Sequence, residues 1–370
     1  NMAKSWTEFC TTIGMSYDFF SRTTRPAHEA AAQELWRRCD ANGYIYKKNY
    51  QAKYCVGCEM VKTDSELVDG FCPEHPNKAI EFIYEENDLF AFSKFEQPLL
   101  ELYARNTTHV VPDFRLQEID NFVRGGLQDF SISRQKSKMA WGVPVPGDDE
   151  HVMYVWFDAL ANYISCLGWG SDDESLFEKF WQNGEVVQLC GKDNLRQQSA
   201  IWQAMLMASG VKNTDTIFVE GHITSGGQKM SKSIGNVVDP LVYIETYGLD
   251  AVRYFVARHL HDIQDSDWTH ERFHESYMAN LVNGIGNLTN RIVQMSESYG
   301  VRLETELQYE PTNLLGEFKF NEEADRIWHL IGEADQFITD EAPFKKIKTD
   351  ENAAKDDVRF LLEKLWEIAH

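Results

Sequence analysis

The chain has 370 residues, 43% of them apolar and 13% aromatic, with 25% charged side chains, a globular composition with material for more than one core. Lys and Arg number 36 against 58 Asp and Glu, a formal balance of −22, and no unbroken apolar run approaches the ~20 residues of a membrane helix. Collagen-like, low-complexity and membrane-spanning readings are excluded. The charge argues against indiscriminate nucleic-acid binding while leaving room for a local basic face on an acidic body.

Asn1 to Asp18 mixes Lys4, Trp6, Glu8 and Asp18 with no apolar central region, so no secretory leader is expected and the compartment reads as cytoplasmic. Of seven cysteines, Cys10, Cys39, Cys55, Cys58, Cys72, Cys166 and Cys190, only three crowd together. That reads as a metal site among reduced thiols rather than a disulfide framework. From Pro26, the residues Ala30, Ala31, Leu35, Trp36 and Cys39 carry helical spacing that stops at Asn42-Gly43, where glycine supplies a left-handed cap. Tyr44 to Tyr54 alternates roughly as a strand, a cysteine-bearing hairpin runs to His75, and acidic helical sequence follows through Asn87 to Tyr103.

The middle of the chain changes character. Val152 to Phe157, Val186 to Cys190 and Ile217 to Val219 are β-rich, and Leu195 to Ala208 between two of them reads as an amphipathic helix. Strand, helix, strand is the rhythm of a parallel sheet, whose ligands sit outside the carboxyl ends of the strands. Chemistry is therefore expected at Gly191 to Asn194 and after Gly221. Beyond Gly248 strands are expected to vanish, and the last helical pattern runs from the Asp350 cap region through Val358, Leu361, Leu362, Leu365 and Trp366.

Five groups of residues carry chemistry. Gly226-Gly227-Gln228-Lys229-Met230-Ser231-Lys232-Ser233 places two ammonium groups on a glycine-flanked loop, a mobile clamp for a polyphosphate, or else a solvated polar loop. Val155, Trp156, Ala159 and Tyr163 put an indole, a small residue and a phenol at one strand-to-helix corner. Such a pocket suits a thioether, since sulfur beside an aromatic ring gains about 0.3–1.5 kcal/mol, although Trp156 would serve equally as core. Gly191-Lys192-Asp193 sets a carboxylate at a strand end where it could accept from ribose hydroxyls, or cap the helix beginning near Leu195. Cys55-x2-Cys58, thirteen residues, then Cys72-x2-His75 closes two turns around one tetrahedral ion, and three thiolates with an imidazole suit structural zinc. In the helical region Asn287 and Arg291 lie one turn apart on one face, and Phe344 follows Pro343. An amide, a guanidinium and a ring there could read and stack unpaired bases, or simply form a helix surface and a core Phe.

Lys229-Met230-Ser231-Lys232-Ser233, after a strand and before a helical region, resembles the signature loop of class I aminoacyl-tRNA synthetases. Together with Trp141-Gly142-Val143-Pro144-Val145-Pro146-Gly147, Tyr154-Val155-Trp156-Phe157-Asp158-Ala159, Gly191-Lys192-Asp193 and Asn287 to Arg291, it resembles the methionyl-tRNA synthetase family from about Thr7 onward. The implied fold is α/β: the second half of a Rossmann-like parallel-sheet catalytic domain at 126–245, a zinc-bearing α+β insert at 1–125 with its knuckle near 52–78, and a C-terminal α-helical bundle. That last region, 246–370, would combine a stem-contact region with an anticodon-binding bundle that continues further.

The resemblance implies ATP-dependent activation of L-methionine and its transfer to tRNA(Met), with magnesium bridging the phosphates. Lys229 and Lys232 would act in catalysis and on ATP, and Gly191 and Asp193 on the adenosine sugar. Val155, Trp156, Ala159, Tyr163 and Gln198 would line the methionine pocket, and Asn287, Arg291 and Phe344 would read the CAU anticodon. Many relatives carry aromatic and histidine side chains where this chain has Gln197 and Gln198, a fourth cysteine at His75, and Trp at Phe344. The family's His-Ile-Gly-His motif is missing; Gly221-His222-Ile223 only echoes it. The chain is therefore expected to begin after the first nucleotide-binding half. Two other readings remain at this point: a synthetase for leucine, valine or cysteine, and a non-catalytic tRNA-binding or regulatory fragment.

Overall fold

A computed structural model describes residues 2–58, 60–62, 64–231, 235–303 and 313–369. Its first helix, α1 (Met2–Thr12), is followed by α2 (Pro26–Ala41), which starts on a proline, where the missing N–H costs nothing. α2 buries Ala31, Ala32, Leu35, Trp36 and Cys39 and stops at Asn42-Gly43, with Gly43 at φ +74°. Three antiparallel strands follow: β1 (Ile45–Cys55), β2 (Met60–Lys62) and β3 (Ile80–Phe90). β1 lies between the other two, and its register with β3 is unbroken from Ile45 opposite Phe90 to Cys55 opposite Ile80.

This ladder corrects the helix expected through Asn87. Asp88 sits across from Lys47 of β1 and Asn87 across from Lys48, while Glu86, Glu85 and Glu81 pair in register with Asn49, Tyr50 and Tyr54. Opposite charges across a ladder stabilise a strand that composition alone would assign to a helix. Helix begins only at α3 (Glu96–Arg105), and β4 (Val110–Val111) and α4 (Asp113–Arg124) come next. β5 (Phe130–Ser131) joins β3, while β6 (Ser133–Gln135), β7 (Pro144–Val145) and β8 (Asp148–Met153) form a separate antiparallel sheet with β8 in the centre.

The β-rich run expected over Val152 to Phe157 is also corrected. β8 ends at Met153, and Val155 to Phe157 open helix α5 (Val155–Leu160), followed by α6 (Asn162–Ser165) and α7 (Ser175–Phe177). Phe157 is fully buried with its ring 5.2 Å from Trp36, edge to face, so a packing contact with α2 overrides the β-preference of Val, Trp and Phe. β9 (Val187–Gly191), α8 (Trp202–Ser209) and β10 (Thr216–Glu220) complete the sheet β4-β10-β9, in which β4 and β10 run parallel with Val110 opposite Ile217. α8 is buried on nearly every side rather than amphipathic. Its Gln203, fully enclosed, donates to the Thr214 hydroxyl at 3.1 Å and accepts from Asn213, so a satisfied core amide imitates a polar stripe.

The chain divides into two compact units, residues 1–219 and 220–370. The second opens with a hairpin of β11 (Ile223–Ser225) and β12 (Gln228–Lys229), then α9 (Pro240–Tyr247) and α10 (Leu249–His259). A short strand does follow Gly248: β13 (Ser266–Asp267) pairs parallel to β11, too brief to leave a period-two pattern. α11 (His270–Ser276), α12 (Asn287–Tyr299), α13 (Phe320–Glu341), α14 (Pro343–Lys346) and α15 (Glu351–Ala369) follow. One core gathers on Phe255, Trp268 and Phe273, another on Leu288, Ile292, Ile331, Ile338 and Leu361. No described helix is long and apolar enough to cross a membrane.

Asp158, on α5, is 9% exposed, and burial pushes its carboxyl from 3.8 up to about 7. The folded state thus holds this proton more tightly than the unfolded chain. The associated stability is complete below about pH 4 and is lost as pH rises towards about 7. Asp158→Asn should raise the unfolding free energy from urea titration at pH 7.5 by an amount on the order of 1 kcal/mol and leave it nearly unchanged at pH 4; equal shifts at both pH values would refute the assignment.

Candidate functional site

The clearest cluster lies between β1 and β3. The ligand atoms of Cys55, Cys58, Cys72 and His75 all lie within 4.8 Å of one another. Cys58 Sγ is 3.4 Å from Cys72 Sγ and 3.2 Å from His75 Nδ1, and Cys55 Sγ is 3.9 Å from the same nitrogen. Gly57 makes the first turn possible, because a Cβ there would collide with the His75 ring. Burial, then the Cys72 and Cys55 thiols beside it, push the Cys58 thiol up to about 12. Burial would raise Cys55 too, yet the Cys58 and Gly57 backbone N–H groups and the neighbouring thiols outweigh it and pull that thiol below its ordinary value. Thiols this close cannot all ionise beside one another without a cation among them, so the donor set fits a tetrahedral metal, with no coordination position left for chemistry.

A second group forms around the ends of β8 and β9. Trp156 and Ala159 lie on α5 and Tyr163 on α6; Val155 is 41% exposed at the start of α5. Gln198 Nε2 donates to the Tyr163 hydroxyl at 2.7 Å, tying the helical run after β9 to this corner. Two polar atoms here, Trp156 Nε1 and Gln198 Oε1, are buried without a partner among the described residues. Unsatisfied donors and acceptors in an aromatic corner are what a bound ligand would satisfy. Gly191 ends β9, and a Cβ on it would meet Asp193 Oδ1 at 3.0 Å, so the absence of a side chain there lets this carboxylate lie close over the strand end.

The sequence reading passed over Arg134. Its Nη1 donates to Ser131 Oγ at 2.7 Å and to the Ser133 carbonyl at 2.9 Å, and its guanidinium lies 4.4 Å over the Tyr154 ring. The residue is 8% exposed and its Nη2 has no partner among the described residues. A buried cation with a spare donor is costly unless something anionic meets it. No motif spacing announces it; burial alone does.

The second unit holds the lysine loop. Gly226 and Gly227 take φ +62° and +72° at the tip of the β11–β12 hairpin. Asp267 Oδ1 accepts from the Gly227 N–H at 2.9 Å and from the Thr224 hydroxyl at 2.8 Å, contacts that hold its carboxyl below the ordinary value. Lys229 is exposed at the end of β12, and Asn236 clips the loop by accepting from the Ser231 N–H and donating to the Lys229 carbonyl. Lys232 and Ser233 lie outside the described residues.

In the bundle, Arg291 and Phe344 line one cavity of about 440 Å³ together with Gln294, Met295, Ser298, Tyr299 and Ile338. Asn287 stands exposed one turn before Arg291 on α12. Arg291 Nη1 donates to Asp335 Oδ1 at 2.5 Å. Phe344 is 46% exposed, so the core alternative for it falls. Ala342, in the left-handed region at φ +43°, makes the sharp corner between α13 and α14 that presents Phe344.

Residues 1–81 and 77–293 match the family model for tRNA synthetases of class I (M), and the chain belongs to that family. Within it, the similar proteins are methionine–tRNA ligases. One from Thermosynechococcus vestitus is 37% identical over 97% of this chain and 71% of its own length. Another, from Clostridium tetani, is 36% identical over 99% of this chain, which spans 59% of that protein's length. The solved methionyl-tRNA synthetase of Mycobacterium tuberculosis in complex with methionyl-adenylate superposes with a TM-score of 0.88 at 32% identity, covering 99% of this chain and 75% of its own. The resemblance carried by the lysine loop and the Tyr154 to Ala159 segment is thereby borne out at the level of the family, as is the α/β fold with a parallel sheet and a helical C-terminal region.

Proposed function

We propose that this chain carries the methionine-selecting, ribose-holding and anticodon-reading parts of a methionine–tRNA ligase. The observation that carries the reading is the Tyr163–Gln198 hydrogen bond. It draws an aromatic corner with unpartnered polar atoms to the helical run that starts at the strand end bearing Gly191 and Asp193. An amino acid with an apolar sulfur-bearing side chain and a nucleoside would lie side by side there.

The reaction has two steps. An oxygen of the methionine carboxylate bonds to the α-phosphorus of ATP as the bond from that phosphorus to the bridging oxygen breaks and pyrophosphate leaves. A terminal ribose hydroxyl of tRNA(Met) then attacks the acyl carbon, and AMP departs. Magnesium arriving with ATP supplies charge to the phosphates. The chain's own residues bind and orient: Val155, Trp156, Ala159, Tyr163 and Gln198 hold the side chain, and Gly191 and Asp193 the sugar. Lys229 and Lys232 neutralise the departing pyrophosphate. A compact ammonium group at Lys229, just beyond a hairpin tip of positive-φ glycines, suits that task, since charge growing on a leaving group is met by cations that need no fixed geometry. Zinc in the Cys55, Cys58, Cys72 and His75 set is structural, and Asn287, Arg291 and Phe344 read the anticodon.

Three outcomes are expected. Lys232→Ala should slow methionine-dependent pyrophosphate exchange about a hundredfold while methionine affinity by calorimetry stays within about twofold; a collapse of methionine binding would place Lys232 elsewhere. Phe344→Ala should weaken tRNA(Met) about tenfold or more in filter binding, the value of one lost stacking contact, and should change nothing for a tRNA whose anticodon has been replaced. Cys72→Ser should lower bound zinc from one per chain to a small fraction by elemental analysis and open residues 52–78 to proteolysis; full retention of zinc would refute the ligand set.

A further inference from the structure

Three consecutive residues after β9 reach three different parts of the first unit. Arg196 lays its guanidinium 4.4 Å over the Phe122 ring of α4, and its Nη1 donates to Glu66 Oε1 at 2.8 Å. Gln197, 3% exposed, directs its Nε2 at Met60 Sδ, 3.3 Å away. Gln198 holds Tyr163. Glu66 and Met60 belong to the metal lobe: Glu66 stands in the loop between the two ligand pairs, and Met60 is two residues beyond Cys58. Asp193 lies three residues before Arg196.

We propose that Arg196 and Gln197 are positioning residues that couple the metal lobe to the turn carrying Asp193 and Gln198, so that the metal sets the rigidity of that turn. The inference rests on the reading of the cysteine and histidine set as a zinc site. The lobe has little core of its own, since Val56, Val68 and Phe71 are 44%, 62% and 47% exposed. A segment that buries so little apolar surface takes its conformation from the ion that closes it. Without the ion, Glu66 and Met60 lose their fixed places. Arg196 then keeps its stack on Phe122 but loses the carboxylate that orients it. Gln197 loses its one partner, and its Oε1 already has none among the described residues, which leaves a buried amide wholly unsatisfied. The Arg196–Glu66 pair is itself 45% and 29% exposed and contributes little to stability as an isolated surface pair. Its consequence is geometric: it fixes where the turn starts.

Hydrogen exchange on the full chain, with zinc bound and after chelation, tests this. Zinc removal should speed exchange of the amides at 194–199 about tenfold while those of α8 stay within about twofold, because only the turn loses its anchors. With Glu66→Gln or Arg196→Met the turn should exchange fast even with zinc present and lose most of its response to chelation. Arg196→Lys, a gentler change that keeps the charge and loses the planar stack, should fall between. The exchange of charges, Arg196→Glu with Glu66→Arg, should restore the zinc response, a rescue that a merely weakened fold would not give. A turn indifferent to zinc in a chain that binds it stoichiometrically would overturn the coupling alone; a chain that takes up no zinc would overturn the coupling and the metal reading together.

Discussion

The turn that leaves β9 is the constraint on which the first unit's chemistry depends. Gly191 leaves the Asp193 carboxylate room, since that oxygen sits 3.0 Å from where a Cβ would be, and a side chain there would push the acid a few tenths of an ångström away from its own strand end. Within five residues the same run contacts the metal lobe, α4 and the aromatic corner of α5 and α6. A displacement of this turn would therefore move Asp193, Gln198 and the contacts with the metal lobe at once. Under the proposed reaction, which uses no side-chain nucleophile, positioning on the ångström scale would supply much of the rate, and a run held from so many sides suits that demand.

Charge is organised locally against the global balance. A body at −22 repels a polyanion at long range, yet the groups assigned to nucleotide and nucleic acid are presented singly and close up. Lys229 is exposed at a hairpin end, with Asp267 occupied by backbone and hydroxyl donors. Arg291 is held by Asp335 beside an open cavity. A guanidinium already paired keeps its orientation and surrenders little entropy when a base edge arrives, so the acidic partner favours selectivity over raw attraction. Lys345 adds a cation 5.7 Å from the Phe344 ring centroid, which places positive charge where a phosphate would follow a stacked base.

Much of this was legible in the sequence where one residue type has one physical use. Gly43 as a left-handed stop, Gly226 and Gly227 at a hairpin tip, and the cysteine and histidine spacing each announce themselves locally. Misreadings arose where a distant partner decides. Asn87 to Phe90 joins a strand because β1 lies opposite, with Lys47 across from Asp88, and Val155 to Phe157 turns into a helix because Phe157 finds Trp36. Gln203 looked like a polar stripe because its partners, Asn213 and Thr214, lie ten and eleven residues away. Arg134, Arg196 and Gln197 left no trace in any spacing, since what marks them is burial, a stack or a contact more than a hundred residues along the chain. Lys232, central to the recognition, lies outside the described residues.

The metal lobe shows how a small insertion can be both cheap and consequential. Its loop exposes Val68 and Phe71 and could not fold on apolar burial alone. Four ligand atoms within 4.8 Å would let one ion stand in for the missing core, and the unbroken eleven-pair ladder of β1 and β3 fixes where that site stands relative to Phe90 and the core behind it. An ion held on a rigid two-stranded arm is a fixed point, and a fixed point can orient residues it does not itself touch. Among the described residues, Glu66 and Met60 reach from the lobe to the turn after β9. Under the proposed coupling the lobe's hold on that turn varies with metal occupancy, whereas a hydrophobic core in the same place would hold it permanently.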